Sequence, residues 1–168
     1  MRAEEAREVA RAWLNEEWLP WATAQGRAEG FQGAFVMGSL AALDDDVEFE
    51  SILSDIDLSI VGDTAVLPVD PRYPHGAFSL FRGCLVQSVF LPVDVLGDRE
   101  KLLSMLGLGD NLRNARILAD PAGVLEAARQ VVAEEWAGPP WLRMRTERAI
   151  GFAEEVVARL PAASSAVE

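Results

Sequence analysis

The stretch that most constrains the fold is residues 54–61, in which polar and apolar side chains alternate without interruption. The order of its central residues is Asp55, Ile56, Asp57, Leu58, Ser59 and Ile60. Because successive side chains of a β-strand point to opposite faces, this pattern predicts a strand with one apolar face and one face carrying two carboxylates. Aspartate is disfavoured in strands and the two charges repel, so we expect water or a divalent cation between Asp55 and Asp57. The stretch therefore predicts a metal site on a rigid element.

A second short strand is predicted over residues 34–37, and it runs directly into Gly38 and Ser39. Glycine lets a backbone approach a ligand closely, and backbone N–H groups together with a serine hydroxyl can donate hydrogen bonds to phosphate oxygens. If this turn lies beside Asp55 and Asp57, donors for a triphosphate stand next to carboxylates for Mg²⁺. That combination is typical of phosphoryl chemistry at a metal ion.

The remaining patterns predict an α+β fold. The expected N-terminal and central elements are a helix over residues 3–18 with a continuation to residue 25, and a hairpin of strands over 78–81 and 84–91 that turns at Arg82 and Gly83. After these we expect a helix over 98–106 capped by Asp98, an edge strand over 115–118, and helices over 120–136 and 141–160. Strands followed by helices are typical of α+β domains.

The second half of the chain is expected to be largely helical. The helix over 120–136 is expected to begin at Asp120 and Pro121, an N-cap acid before proline. The last helix is expected to turn part of an apolar face toward a core, through Ile150, Phe152, Val156, Val157 and Leu160. Its basic residues are expected to be solvated, with contact to an acceptor or triphosphate as the alternative, and they are Arg143, Arg145 and Arg148.

Composition and charge narrow the classes of function. The 168 residues include 27 acidic and 15 basic residues, for a net charge of −12, which argues against duplex DNA and anionic membranes as partners because both are polyanions. Cys84 and His75 are the only residues of their types, so an intrachain disulfide, a His/Cys metal cage and a His-dependent triad are not expected. The first residues contain no apolar stretch of signal-peptide length and no apolar run reaches membrane-spanning length, so we expect a cytoplasmic protein without a signal peptide.

The succession of Gly38-Ser39 and the pair Asp55 and Asp57 resembles the signature of the DNA polymerase β-type nucleotidyltransferase superfamily, especially small bacterial stand-alone and aminoglycoside-type members. Residues 116–123 also resemble the stretch that leads into a helix in many of these proteins. The resemblance implies a nucleotidyltransferase-like mixed β-sheet with helices packed on one face, followed by C-terminal helices. It also implies that Gly38 and Ser39 bind ATP or another NTP, and that Asp55 and Asp57 bind Mg²⁺.

The expected organisation is one domain over residues 1–168. It comprises an N-terminal helix over 1–28, a nucleotidyltransferase catalytic core over 29–95 and a helical C-terminal part over 98–160. The resemblance places the chemistry within the core. Acceptor choice in the family tends to lie in helices after it.

A third carboxylate is what the family uses to hold the catalytic metal and to deprotonate the acceptor, and it lies on a later strand. In the strand expected over 84–91, Gln87 stands at about that place, and an amide cannot accept a proton. Asp94 is the nearest acid beyond it. Asp94 is therefore the candidate for the third catalytic carboxylate beside Asp55 and Asp57.

Three functions stay open at this point. The first is a Mg²⁺-dependent nucleotidyltransferase that moves an NMP group from an NTP to a hydroxyl acceptor, which is a small molecule, a protein or tRNA; a homodimer is one expected assembly. The second is a catalytically degenerate nucleotide-binding module of the same fold, an antitoxin or a regulatory protein. The third is an interaction domain in which the Asp pair is incidental. Gln87 favours the second, whereas the intact Gly-Ser turn and Asp pair favour the first.

Overall fold

The computed structural model describes residues 1–50, 55–64 and 77–159. The expected beginning of the aspartate strand at Ser54, most of the proline-containing loop before the hairpin, and the C-terminal tail lie outside the described residues.

The described residues form helices and strands in an α+β arrangement, as predicted. The helical segments are α1 (Ala3–Trp13), a π-helical turn (Leu14–Trp18), α2 (Leu19–Ala24), a 3-10 turn (Ala28–Gly30), α3 (Gly38–Ala42), α4 (Val93–Gly97), α5 (Arg99–Ser104), α6 (Leu108–Asn114), α7 (Val124–Glu135) and α8 (Pro139–Arg159). The strands are β1 (Phe31–Val36), β2 (Ile56–Gly62), β3 (Ala77–Phe81), β4 (Cys84–Pro92) and β5 (Arg116–Ala119).

These strands form one mixed sheet in the order β3-β4-β2-β1-β5. β2 and β4 run parallel, whereas the other neighbouring pairs are antiparallel. The predicted hairpin is confirmed: β3 and β4 are joined at Arg82 and Gly83, whose φ angles of 49° and 78° are both positive, as a two-residue hairpin turn requires. β5 lies at the edge of the sheet, as predicted.

Helices cover parts of both faces of the sheet, whereas one covered face was expected. α1, the π-helical turn, α2 and α3 form one apolar cluster with a first face of the sheet, which contributes Ala34, Val36, Ile56, Leu58, Ile60 and Val86. α4, α5, α6 and α7 form a second cluster with Phe35, Val61 and Leu91, which point to the opposite face. On this second face, the end of β2 is apolar and packs in the second cluster through Val61. The beginning of the strand is polar on the same face, where Asp55 and Asp57 lie, and it does not belong to that cluster.

The start of α7 differs from the prediction. The helix begins at Val124, because Gly123 has a φ of 72° and interrupts the helical backbone. The Asp120 carboxylate nevertheless accepts hydrogen bonds from the backbone N–H groups of Leu125 (3.2 Å) and Glu126 (3.0 Å). Asp120 therefore caps the helix as expected, but from a short turn that precedes it.

The last helix also differs from the prediction. Arg143 and Arg148 are exposed as expected, but Arg145 is only 8% exposed. Its guanidinium stands 3.5 Å from the ring centroid of Trp136 and donates to the carbonyl oxygens of Trp136 (2.6 Å) and Leu103 (2.7 Å). Arg145 thus fastens α8 to the ends of α5 and α7. Four of the five apolar residues expected to meet a core are instead exposed, namely Ile150, Phe152, Val156 and Val157. The fifth, Leu160, lies outside the described residues.

Candidate functional site

The two aspartates stand at the beginning of β2, the central strand of the sheet. Asp55 directly precedes the strand and Asp57 is its second residue, and both side chains are half-buried. Ile56 and Leu58 are fully buried on the other side of the strand. The alternation predicted from the sequence is therefore confirmed, and it turns both carboxylates to the same face.

The turn at Gly38 lies directly against this pair. Beyond the end of β1, the backbone N–H of Met37 donates to the carbonyl oxygen of Asp57 (2.9 Å), so the pairing of β1 with β2 extends to the site. Gly38 has a φ of 68°, and a Cβ atom at this position would collide with Oδ2 of Asp57. Glycine is thus required twice, for the left-handed backbone and for the close approach to the carboxylate. Ser39 follows in the first turn of α3 and is exposed.

Gln87 completes the site from the neighbouring strand. β4 runs parallel to β2 with Gln87 paired to Asp57, so both side chains lie on the same face. With its NH₂ group turned to the pair, the Gln87 amide donates to Oδ2 of Asp55 (3.0 Å) and to Oδ1 of Asp57 (3.2 Å). The reverse orientation would set the amide oxygen against two carboxylate oxygens, so the hydrogen-bonding partners favour this assignment in the metal-free site.

Asp94 is not brought to the site. β4 continues beyond Gln87 to Pro92, which pairs with Gly62 at the far end of β2, and Asp94 lies in α4 beyond that end. Five residues of strand separate Gln87 from Pro92 by about 17 Å. The Asp94 carboxylate is exposed and faces Lys101, whose Nζ is 3.4 Å away. The position expected to hold the third acid is therefore occupied by the amide of Gln87.

Burial and charge act together on Asp57. Its pKa is raised above the ordinary value, first by burial, which disfavours the charged carboxylate, and second by the negative charge of Asp55. A cation between the two carboxylates would oppose both effects. The charged form of Asp57 would consequently gain from a positive partner.

The donor set fits Mg²⁺ only in part. Within residues 1–50, 55–64 and 77–159, no group of three or more His, Cys, Asp or Glu side chains is arranged to hold a metal ion. Two carboxylates suit a hard cation, however, and Mg²⁺ characteristically takes one or two carboxylates, keeps several waters and receives its other ligands from substrate phosphates. Asp55 and Asp57 therefore fit an ion that keeps most of its ligands from outside the protein, and with the other described residues they do not form a closed protein cage.

An exposed apolar strip continues from the site toward the sheet edge. In the β3–β4 pairing, Phe78 stands opposite Gln87 and Leu80 stands opposite Leu85, so these side chains share the face of the two aspartates. Phe78 is 58% exposed, Leu80 80% and Leu85 40%. The strip provides an apolar surface one strand away from the carboxylates.

Arg7, which the sequence analysis did not single out, holds the end of α3, the helix that follows the Gly38 turn. Its buried guanidinium donates to the carbonyl oxygens of Leu40 (3.2 Å) and Leu43 (3.2 Å) and to the Asp45 carboxylate (2.7 Å). These bonds hold the end of α3, the helix that begins at Gly38. The helical spacing in the sequence could have indicated this burial, because position 7 falls on the same face of α1 as Ala3 and Ala10, which are buried.

Comparison with known proteins identifies no family for this chain. A scan against protein-family models found no match to the chain, and a search of curated proteins found none either. In the part of the chain that the structure describes, no helix is both long and apolar enough to span a membrane. The function is therefore inferred from the residues of the site.

Proposed function

We propose that this chain binds a nucleoside triphosphate with Mg²⁺ at Gly38, Ser39, Asp55 and Asp57, and transfers an NMP group to a hydroxyl acceptor. The observation that carries the proposal is the close approach of the Gly38 backbone to the Asp57 carboxylate. It makes the phosphate-binding turn and the metal-binding pair one site. The resemblance to the DNA polymerase β-type nucleotidyltransferases agrees with this assignment, and an NTP substrate fits a cytoplasmic location.

Each residue has a distinct part in this proposal. Asp55 and Asp57 would hold Mg²⁺, which neutralises phosphate charge when bound. The backbone at Gly38 and Ser39 would donate hydrogen bonds to phosphate oxygens. The acceptor hydroxyl then forms a bond to the α-phosphorus, the bond between the α-phosphorus and the bridging oxygen breaks, and pyrophosphate leaves.

Among the residues that the structure describes, the proposed site has no evident general base to remove the proton of the acceptor hydroxyl. Gln87 is an amide and cannot accept it, and Asp94 lies at the other end of β4. General-base assistance is typically worth about 10²- to 10⁴-fold in rate. Turnover is therefore expected to be slow, with the proton lost to solvent.

A second candidate is nucleotide binding without turnover, as in an antitoxin or a regulatory module. The specific observation in its favour is that Gln87 stands in the position of the third acid and is hydrogen-bonded to both aspartates. Both candidates use the same nucleotide site. They differ only in whether the α-phosphorus is attacked.

The test is direct. The purified chain is incubated with each α-³²P-labelled NTP, Mg²⁺ or Mn²⁺, and a panel of aminoglycosides, proteins and tRNA, and both pyrophosphate release and label transfer are measured. Nucleotide affinity is measured in parallel by calorimetry. Asp57→Asn should abolish binding and transfer, whereas Asp94→Asn, its matched control, should leave both unchanged.

The outcomes separate the candidates. Label transfer supports the enzyme, and Mg²⁺-dependent NTP binding without transfer to any acceptor supports the binding module. Absence of NTP binding in the wild-type protein refutes both. Equal loss in Asp57→Asn and Asp94→Asn would refute the assignment of the site to Asp55 and Asp57.

A further inference from the structure

The amide of Gln87 stands where a cation between the two aspartates would stand. A primary amide has two N–H donors, and here each has its own carboxylate, Asp55 at 3.0 Å and Asp57 at 3.2 Å. The Gln87 backbone is fixed on both sides, because it pairs with Asp57 of β2 and with Phe78 of β3. A neutral group on a rigid strand therefore supplies hydrogen bonds to both acidic side chains.

We propose that Gln87 is a positioning residue that excludes a free divalent cation from Asp55 and Asp57, so that the metal enters only together with a nucleotide. This inference rests on the proposed function, because the nucleotide is the one bound there. A free cation would have to displace two charge-assisted hydrogen bonds and would gain only two protein charges. A cation bound to a triphosphate brings the phosphate charges and ligands with it, and the Gly38 turn then binds the phosphates as well.

The consequence is an ordered use of the site. Without nucleotide, the amide donates to both carboxylates, and its hydrogen bonds take the place of a cation. With nucleotide, the amide gives way to the metal. A carboxylate at position 87 would do the reverse, since three negative charges in contact attract a free cation and repel one another in its absence.

The experiment titrates free Mg²⁺ and free Mn²⁺ into nucleotide-free protein by calorimetry and follows the melting temperature in parallel. The variants are Gln87→Glu, Gln87→Met and the control Gln130→Glu. Gln130 is exposed on α7 and its amide donates to Glu134 (3.0 Å), so the control adds the same charge against a neighbouring acid away from the site.

The expected results differ in direction among the variants. Gln87→Glu should bind free Mg²⁺ at least about tenfold more tightly than the wild type and should melt lower without metal. Gln87→Met has a similar volume but no donor, so it too should melt lower without metal and should bind the free ion more tightly than the wild type. Gln130→Glu should bind free metal as the wild type does. If the wild type shows no binding of the free ion within the titrated concentrations, its affinity is taken as weaker than that of any variant whose binding is measured.

Two results would overturn the inference. One is a wild-type protein that binds free Mg²⁺ as tightly as Gln87→Glu. The other is Gln87→Met binding the free ion more weakly than the wild type, because the amide oxygen would then be a metal ligand. Gln87→Met decides alone if Gln87→Glu does not fold.

The proposed function is tested separately by titrating Mg²⁺-ATP and Mg²⁺-GTP into the same variants. Loss of nucleotide binding in all of them, with the order of free-metal affinities as expected, refutes the nucleotide site and leaves the exclusion of free metal standing. Nucleotide binding with equal free-metal affinities refutes the role of Gln87 alone.

Discussion

Replacing Gly38 by alanine tests whether the turn at Gly38 and the aspartate pair are mechanically one unit. Two costs are expected. A left-handed backbone costs an L-residue about 1–2 kcal/mol. The new Cβ would also collide with Oδ2 of Asp57, and turning that side chain away costs about 1 kcal/mol in an unfavourable rotamer and about 1 kcal/mol in its hydrogen bond with Gln87.

Gly26 provides the matched control. Its φ of 65° is nearly that of Gly38, but a Cβ built on it meets no atom within 4 Å. Gly26→Ala should therefore lose only the backbone contribution, about 1–2 kcal/mol, whereas Gly38→Ala should lose about 3–4 kcal/mol. Urea unfolding measures both, with unchanged slopes as the sign that only the stability has changed.

A double-mutant cycle locates the difference. In the Asp57→Ala background, Gly38→Ala should cost no more than Gly26→Ala, because the colliding oxygen is gone. Equal costs of Gly38→Ala and Gly26→Ala in the wild-type background would refute the contact. A surplus that persists without the Asp57 side chain would place the collision elsewhere.

Four further outcomes follow from the structure. Arg145→Met should lower the free energy of unfolding by about 2–4 kcal/mol, because two buried carbonyls lose their charged donor, whereas Arg148→Met on the same helix should change it by less than about 0.5 kcal/mol; urea unfolding checks both. Arg7→Met should cost about 1–3 kcal/mol for the same reason at the end of α3 and should weaken NTP binding in calorimetry. Phe78→Ser should leave the melting temperature unchanged and weaken the affinity for nucleotide or acceptor about tenfold if a base stacks on this exposed ring. The raised pKa of Asp57 means that its contribution is present below the unfolded-state pKa of 3.8 and is lost as pH rises through the folded-state pKa; metal-free Asp57→Asn should therefore exceed the wild type in stability at pH 7, with the gap closing toward pH 4 in urea titrations.

What the sequence predicted well depends on neighbours close in the chain. The alternation around Asp57 indicated which face the carboxylates take, and Arg82-Gly83 indicated the hairpin, because both signals are local backbone preferences. Asp98 caps α5 as predicted, accepting from the backbone N–H groups of Glu100 (3.0 Å) and Lys101 (3.1 Å). Such features need no knowledge of the rest of the fold.

What the sequence did not predict depends on strand register and on distant packing. Gln87 was placed near the third-acid position, but its hydrogen bonds to both aspartates follow from the exact pairing of β4 with β2. The same register removes Asp94, which is close to Gln87 in sequence but lies beyond the far end of the strand. In the sequence, nothing distinguishes Arg145 from other basic residues on a helix. Its burial follows from packing against the ring of Trp136, which the sequence does not show.

The amide at position 87 separates two properties that a third carboxylate would join. A carboxylate there would accept the acceptor's proton and hold a metal, but it would add a third charge beside Asp57, whose pKa burial and Asp55 already raise. The amide avoids that third charge and donates to both aspartates, but it cannot take the proton. Under the proposed function, nucleotide binding would depend on Gly38, Asp55 and Asp57, while turnover would depend on whether side chain 87 ends in an amide or a carboxylate. A Gln87→Glu protein that transfers label faster but melts lower without metal would show that the carboxylate raises turnover and lowers the stability of the metal-free protein.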